Sequence, residues 1–303
     1  MKEKLRNNKT KIAIIVLSIL LVSSIGLNIY AYAGTDHEEA PLFWLQSEEF
    51  VEETINGVLK NSKDFRDGEK IVFEYDFDNK EYATLLEKYH LKETAGEGSE
   101  FAKAKKLMHE YAGRIRHDGN AKVLSENMNA EYLLATYLDN KKEGTYCRAK
   151  AQILNEMCLS LGIYARKLWI ESLSVYENEC HVVNEVWDSE YEKWIMLDIS
   201  NDLYWVDENA TPLSVLEIRD KIINNEFCTP VISDDDLKDL QKSREAYEYY
   251  YAYYVKNLAV LEYMDRYTVG ETQGFWLMPV NYTSEGDEIR LISRDAVEAS
   301  PIR

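Results

Sequence analysis

The chain has 303 residues, 46% of them hydrophobic and 12% aromatic, with only 13 glycines and 5 prolines; this excludes disordered and collagen-like classes and supplies one well-packed core with extensions. The formal net charge of −19 repels a phosphate backbone, so nucleic acid is excluded as a partner. The four cysteines, Cys147, Cys158, Cys180 and Cys228, contain no CxxC pair, which argues against a zinc site or a disulfide scaffold.

The N-terminus carries a membrane address. Lys2, Lys4, Arg6, Lys9 and Lys11 stand against Glu3, and no charged residue occurs from Ile12 to Thr35. A basic flank before an apolar run is retained on the cytoplasmic side, which places the rest of the chain outside the cell. Ile12 to Leu21 would serve as a signal-peptide core with Ala31-Tyr32-Ala33 as its cleavage site, while Ile12 to Ile29 is anchor length. Residues 1–33 are therefore expected to be a signal peptide or a signal anchor, and the protein to be secreted or membrane-anchored, in either case extracytoplasmic.

After the leader, Phe50, Val51, Ile55, Val58 and Leu59 approach a helical stripe, and Ile71, Phe73, Tyr75 and Phe77 alternate with Val72, Glu74 and Asp76 as in a half-buried strand. Residues 34–98 are assigned to an N-terminal α/β extension. Beyond the break Ala95–Gly98, Phe101, Ala104, Leu107, Met108, Tyr111, Ala112 and Ile115 recur at spacings of three and four, which predicts an amphipathic helix. A second helical stretch runs from Glu131 to Leu138, and a polar turn, Asp139–Gly144, precedes a third helix that opens at Cys147 and stops at Gly162.

Three strands are predicted next, over 164–171, 181–187 and 194–199, the last two joined as a hairpin by Asp188–Lys193. Helices first and antiparallel strands second define an α+β core over 99–232. The remaining segment, 233–303, reads as a long tyrosine-rich helical run from Asp234, packed against the core, followed by short strands at Phe275–Val280 and Glu288–Ile292.

The chemistry concentrates on three residues. A thiol at a helix N-terminus has its anion stabilised by free N–H groups and the helix dipole, and Cys147 stands at such an opening. His181 begins a predicted strand and could take the thiol proton; Asp198, near the end of the hairpin's second strand, could hold the other imidazole nitrogen and set its tautomer. Spacing alone does not single out this triple among five histidines and many aspartates, but the words around it do.

Gly144-Thr145-Tyr146-Cys147 opening a helix, Leu161-Gly162-Ile163-Tyr164-Ala165-Arg166 closing it, His181 beginning a strand and Trp194-Ile195-Met196-Leu197-Asp198 ending a hairpin together resemble the transglutaminase-like superfamily over roughly Phe101 to Asn201. The resemblance implies a papain-like core, a nucleophile helix packed on an antiparallel sheet. It also implies Cys147 as nucleophile, His181 as general base and acid, Asp198 as the orienting carboxylate, and the Cys147 backbone N–H as an oxyanion donor. Val182-Val183 and Ile199-Ser200 depart from the Ala-Trp and Pro-Thr often found in the family, which makes the substrate harder to foresee.

The remaining features take ordinary assignments. Cys158 lies on the apolar helix face as core packing, Cys180 should point away from His181 as a free strand residue, and Cys228 belongs to a loop beside Pro230. His37, His90, His109 and His117 have no second ligand at metal spacing and are given surface or capping positions. No metal or cofactor motif stands out, so any chemistry runs on side chains. The expected function is acyl transfer at an amide with a protein or peptide substrate. The alternatives are a cysteine peptidase or amidase, and a non-catalytic extracellular peptide- or cell-wall-binding scaffold.

Overall fold

The computed structural model describes residues 56–121, 128–173, 180–270, 272–282 and 289–302. The leader, with its predicted membrane segment, lies outside the described residues, as does the helical stripe read near Phe43–Leu59 up to residue 55. Among the described residues no helix is long and apolar enough to cross a membrane.

Three helices bring the Cys147 segment to its place. Helix α1 (Glu100–Ala112) begins where the Ser99 hydroxyl accepts the Ala102 amide, and buries Phe101, Ala104, Leu107, Met108, Tyr111 and Ala112 on one stripe. Helix α2 (Ala130–Tyr137) is capped in the same way by Asn129, which accepts the Tyr132 amide at 2.8 Å. Helix α3 (Cys147–Ser160) is different: every residue from Ala149 to Leu159 is buried, as expected for a helix enclosed by other helices on one side and a sheet on the other. It ends at Gly162, whose φ of +75° suits a residue without Cβ; the Gly162 and Ile163 amides bond back to Leu159 and Cys158.

The sheet has five antiparallel strands in the order β3 (Lys193–Leu197), β2 (Cys180–Asp188), β1 (Ala165–Glu171), β6 (Val260–Met264), β7 (Gly274–Leu277). The predicted hairpin is present, and its turn is held by Asp188: Oδ1 accepts the amides of Glu190 and Tyr191, and Oδ2 accepts the Phe101 amide at 2.8 Å, which fastens the hairpin to the start of α1. One face of the sheet packs on α1, α2 and α3 through Ala165, Val186, Ile195 and Leu197. The other packs through Leu168, Ile170, Val183, Met196, Leu261 and Tyr263 on helices α4 (Val215–Ile223) and α5 (Glu248–Asn257). A small two-stranded ribbon, β4 (Tyr204–Asp207) with β5 (Cys228–Val231), lies between these elements in sequence.

Several sequence expectations are corrected here. The tyrosine-rich run is not one long helix. It breaks at Tyr247, which ends one short helix and caps the next, and after Leu258 the chain turns into β6, paired on both sides within the sheet. A run such as Val260-Leu261-Glu262-Tyr263-Met264 fits helix and strand periodicity alike, and partners remote in sequence decide between them. The predicted strand over 71–77 shrinks to Glu74–Tyr75, and Cys228 is buried in a strand, not a loop. The predicted strand over 288–292 reduces to isolated bridges, Leu291 to Trp276 and Ile292 to Glu69.

Between the sheet and its C-terminal cover, Arg166 and Glu185 face each other across β1 and β2, both 1% exposed. The guanidinium donates to Glu185 Oε2 at 2.6 and 2.8 Å and to the Val297 carbonyl at 2.9 Å, and lies 3.9 Å from the Trp194 ring centroid. Glu185 Oε1 accepts the Val215 amide that opens α4. Removing one partner leaves the other charged and dry, so Glu185→Ala is expected to cost about 3–5 kcal/mol in urea unfolding; a loss below about 1 kcal/mol would show that water reaches the pair.

Candidate active site

Cys147 is the first residue of α3, and Tyr146, which stands at the cap position, offers no side-chain cap. No cap side chain therefore competes at the thiol end of the helix, where a negative charge is favoured. The thiol is half-buried. It hydrogen-bonds the imidazoles of His117 and His181 and the backbone amide of Val182.

His181 is the second residue of β2, opposite Ile170 of β1, and is buried. Its Nε2 lies 2.9 Å from Asp198 Oδ2, which leaves Nδ1 as the ring nitrogen available to the sulfur. Two tyrosines of α5 set the ring edge-on: Tyr253 and Tyr254 lie with centroids 5.6 and 5.8 Å away at steep angles.

Asp198 follows directly on β3, fully buried, and its backbone pairs with Leu203. Its carboxylate is heavily bonded: Oδ1 accepts the Ser200 amide at 2.7 Å, and Oδ2 accepts the Asn201 side-chain amide at 2.7 Å and the Tyr254 hydroxyl. The three residues singled out from sequence are therefore brought together, in the order sulfur, imidazole, carboxylate.

Electrostatics follow from this geometry. Burial alone would raise the Asp198 acid, but the His181 charge and the hydrogen bonds from His181, Tyr254 and Asn201 outweigh it and hold the group down to about 2. Burial would likewise discharge His181, yet the Asp198 carboxylate and the Cys147 thiolate raise it to about 10. The Cys147 thiol is raised by burial and lowered more strongly by the two imidazoles and the Val182 amide, ending at about 6. Near neutral pH the cluster can thus hold a thiolate beside an imidazolium, the state in which sulfur is a nucleophile. The other thiols differ: Cys158 and Cys228 are buried and pushed up to about 12, and Cys180 is exposed yet pushed up to about 11, chiefly by burial of its sulfur.

Two participants go beyond the sequence reading. His117 stands at the surface, as its sequence context suggests, but its ring also meets the thiol. Tyr254 packs, as the tyrosine run suggests, while also donating to Asp198. Neither carries a sequence signal, because each contact depends on chain segments that meet only in the folded state.

A helix with a thiol at its N-terminus thus packs on an antiparallel sheet that bears an imidazole and its carboxylate partner. Residues 87–199 match the family model of the transglutaminase-like superfamily. Among solved structures, the chain is similar to a protein from Cytophaga hutchinsonii provisionally named a cysteine protease, at 16% identity and a TM-score of 0.31; the match covers 39% of this chain and 37% of that one. The likeness thus spans little more than a third of that protein's length. No curated protein matches the chain.

Proposed function

We propose that the chain is an extracytoplasmic thiol enzyme that transfers acyl groups at amide bonds, with Cys147 as nucleophile, His181 as general base and acid, and Asp198 as the carboxylate that orients the ring. The observation that carries this reading is the Cys147 thiol at the opening of α3, hydrogen-bonded to an imidazole whose other nitrogen is held 2.9 Å from a buried carboxylate. A scaffold has no need of a thiol held down to about 6.

The thiolate attacks an amide carbonyl carbon; a C–S bond forms, and the C–N bond breaks as His181 passes its proton to the departing amine. The Cys147 backbone N–H, at the N-terminus of α3, donates to the carbonyl oxygen in the tetrahedral stage. An amine or water then adds to the thioester, loses a proton to His181, and releases the sulfur. With a lysine amine the product is a cross-link; with water the same residues make a peptidase or amidase. The substrate is a protein or peptide in either case. The basic flank and the uncharged run Ile12–Thr35 support the extracytoplasmic assignment and a membrane attachment where the leader is retained.

The test is incubation of the full chain with a glutamine-containing protein and a labelled primary amine. Incorporation of the amine, lost in Cys147→Ser, is the expected result. Cleavage fragments alone would replace transfer by hydrolysis. Neither product, together with slow and equal alkylation of all four cysteines, would leave only the scaffold.

A further inference from the structure

The nucleophile has a second imidazole. His117 lies on the segment that follows α1, thirty positions before Cys147, and its backbone is bolted to the residues just ahead of the nucleophile. His117 bridges Thr145 in parallel fashion; the Thr145 amide donates to the Arg116 carbonyl and the Asp118 amide to the Thr145 carbonyl, each at 2.9 Å. Residue 144 has to be glycine for this approach: a Cβ there would stand 2.8 Å from Asp118 Cβ and 2.9 Å from the Arg116 carbonyl oxygen.

A second fastening comes from the nucleophile helix. Lys150, one turn beyond Cys147 and 1% exposed, donates its ammonium to the carbonyls of Ala112 at 2.9 Å and Ile115 at 2.8 Å. A buried lysine is costly unless its hydrogen bonds are made. Spending one to tie the C-terminus of α1 to the first turn of α3 fixes where the 115–118 segment lies. The result is an exposed imidazole held against the half-buried sulfur, while His181 reaches the same sulfur from within the fold.

We propose that His117 is a further catalytic residue: its ring N–H donates to the Cys147 thiolate from the solvent side, so that the nucleophile is held between two imidazoles, of which His181 has a carboxylate behind it. This rests on the thiol-enzyme reading above and adds to it the group that faces incoming substrate at the sulfur. Because His117 has an exposed side chain and no role in the core, its loss should change the thiol without unfolding the chain.

The test is the pH dependence of Cys147 alkylation by iodoacetamide in the full chain, for wild type, His117→Ala, His117→Gln and His181→Ala, with thermal unfolding as the control for folding. A hydrogen bond to a charged group shifts the balance between its two protonation states by roughly one pH unit. His117→Ala is therefore expected to move the midpoint up by about one unit at unchanged Tm. His117→Gln, whose side-chain amide can still donate, should recover part of the shift. Gly144→Ala should reproduce the shift with all the reacting side chains present, since it forces the 116–118 segment away. An unmoved midpoint in His117→Ala overturns the inference, provided His181→Ala moves it; an unmoved midpoint in His181→Ala overturns the underlying thiol-enzyme reading instead.

Discussion

Replacing His181 by alanine is expected to make Cys147 about tenfold slower towards iodoacetamide at pH 6, yet faster than wild type above about pH 9. In the native protein the thiol titrates at about 6, so half of it is thiolate at that pH. Without the imidazolium the thiol should return towards an ordinary value of about 8.5, which cuts the thiolate fraction at pH 6 by roughly two orders of magnitude. A more basic thiolate is also more nucleophilic, with a Brønsted slope of about 0.4–0.5, and this gives back roughly a factor of ten. At alkaline pH both proteins are fully thiolate and only the second effect remains, so the order reverses. Rates measured from pH 5 to 10 check both arms, and two parallel profiles would show that His181 does not set the thiol. Amine incorporation, which needs the proton moved twice, should fall further, by about 10³–10⁴.

Asp198→Asn should lower turnover by about 10³–10⁴ while leaving the fold recognisable. The carboxylate is fully buried, and its neighbours are arranged to donate: the Ser200 amide, the Asn201 side chain, the Tyr254 hydroxyl and His181 Nε2. An amide in the same place must point an N–H at one of these donors, and if it meets His181 it selects the wrong tautomer. Tyr254→Phe removes a single donor and should cost far less, about tenfold, with a visible change in the His181 titration. Equal effects from the two substitutions would show that the hydroxyl, not the carboxylate charge, governs the ring.

The pair also makes stability depend on pH, and the signs differ. Asp198, held below its ordinary 3.8, contributes above that value and loses the contribution as pH falls through about 2. His181, raised above its ordinary 6.5, contributes fully below that value and loses the contribution as pH rises through about 10. The gap in unfolding free energy between wild type and Asp198→Asn should therefore be widest between about pH 4 and 6.5 and shrink towards pH 10. A gap that grew on the alkaline side would contradict the raised His181.

Much of the site was legible because its parts are local. Cys147 is marked by the polar turn before it and the apolar stripe after it, and the helix indeed starts at that residue. His181 and Asp198 lie on one hairpin, whose turn residues Asp188–Lys193 are readable from composition. What stayed hidden was the set of contacts made by chain segments far apart. Tyr254 reaches Asp198 across fifty-six positions, and His117 reaches the sulfur only because Gly144 lets two backbones touch.

By its own periodicity, capping residues and turns, the chain determines helices α1 to α3, the hairpin β2–β3 and the order of thiol, imidazole and carboxylate along it. Its basic flank and uncharged run set the expected address. Tertiary structure alone decides that Val260–Met264 is a central strand, that a tyrosine completes the carboxylate's shell and that a second imidazole meets the Cys147 thiol. The physical reason is the same in each case. Helix starts and tight turns are stabilised by neighbours within a few residues, whereas strand pairing and buried hydrogen bonds are stabilised by partners that arrive only when the whole core closes.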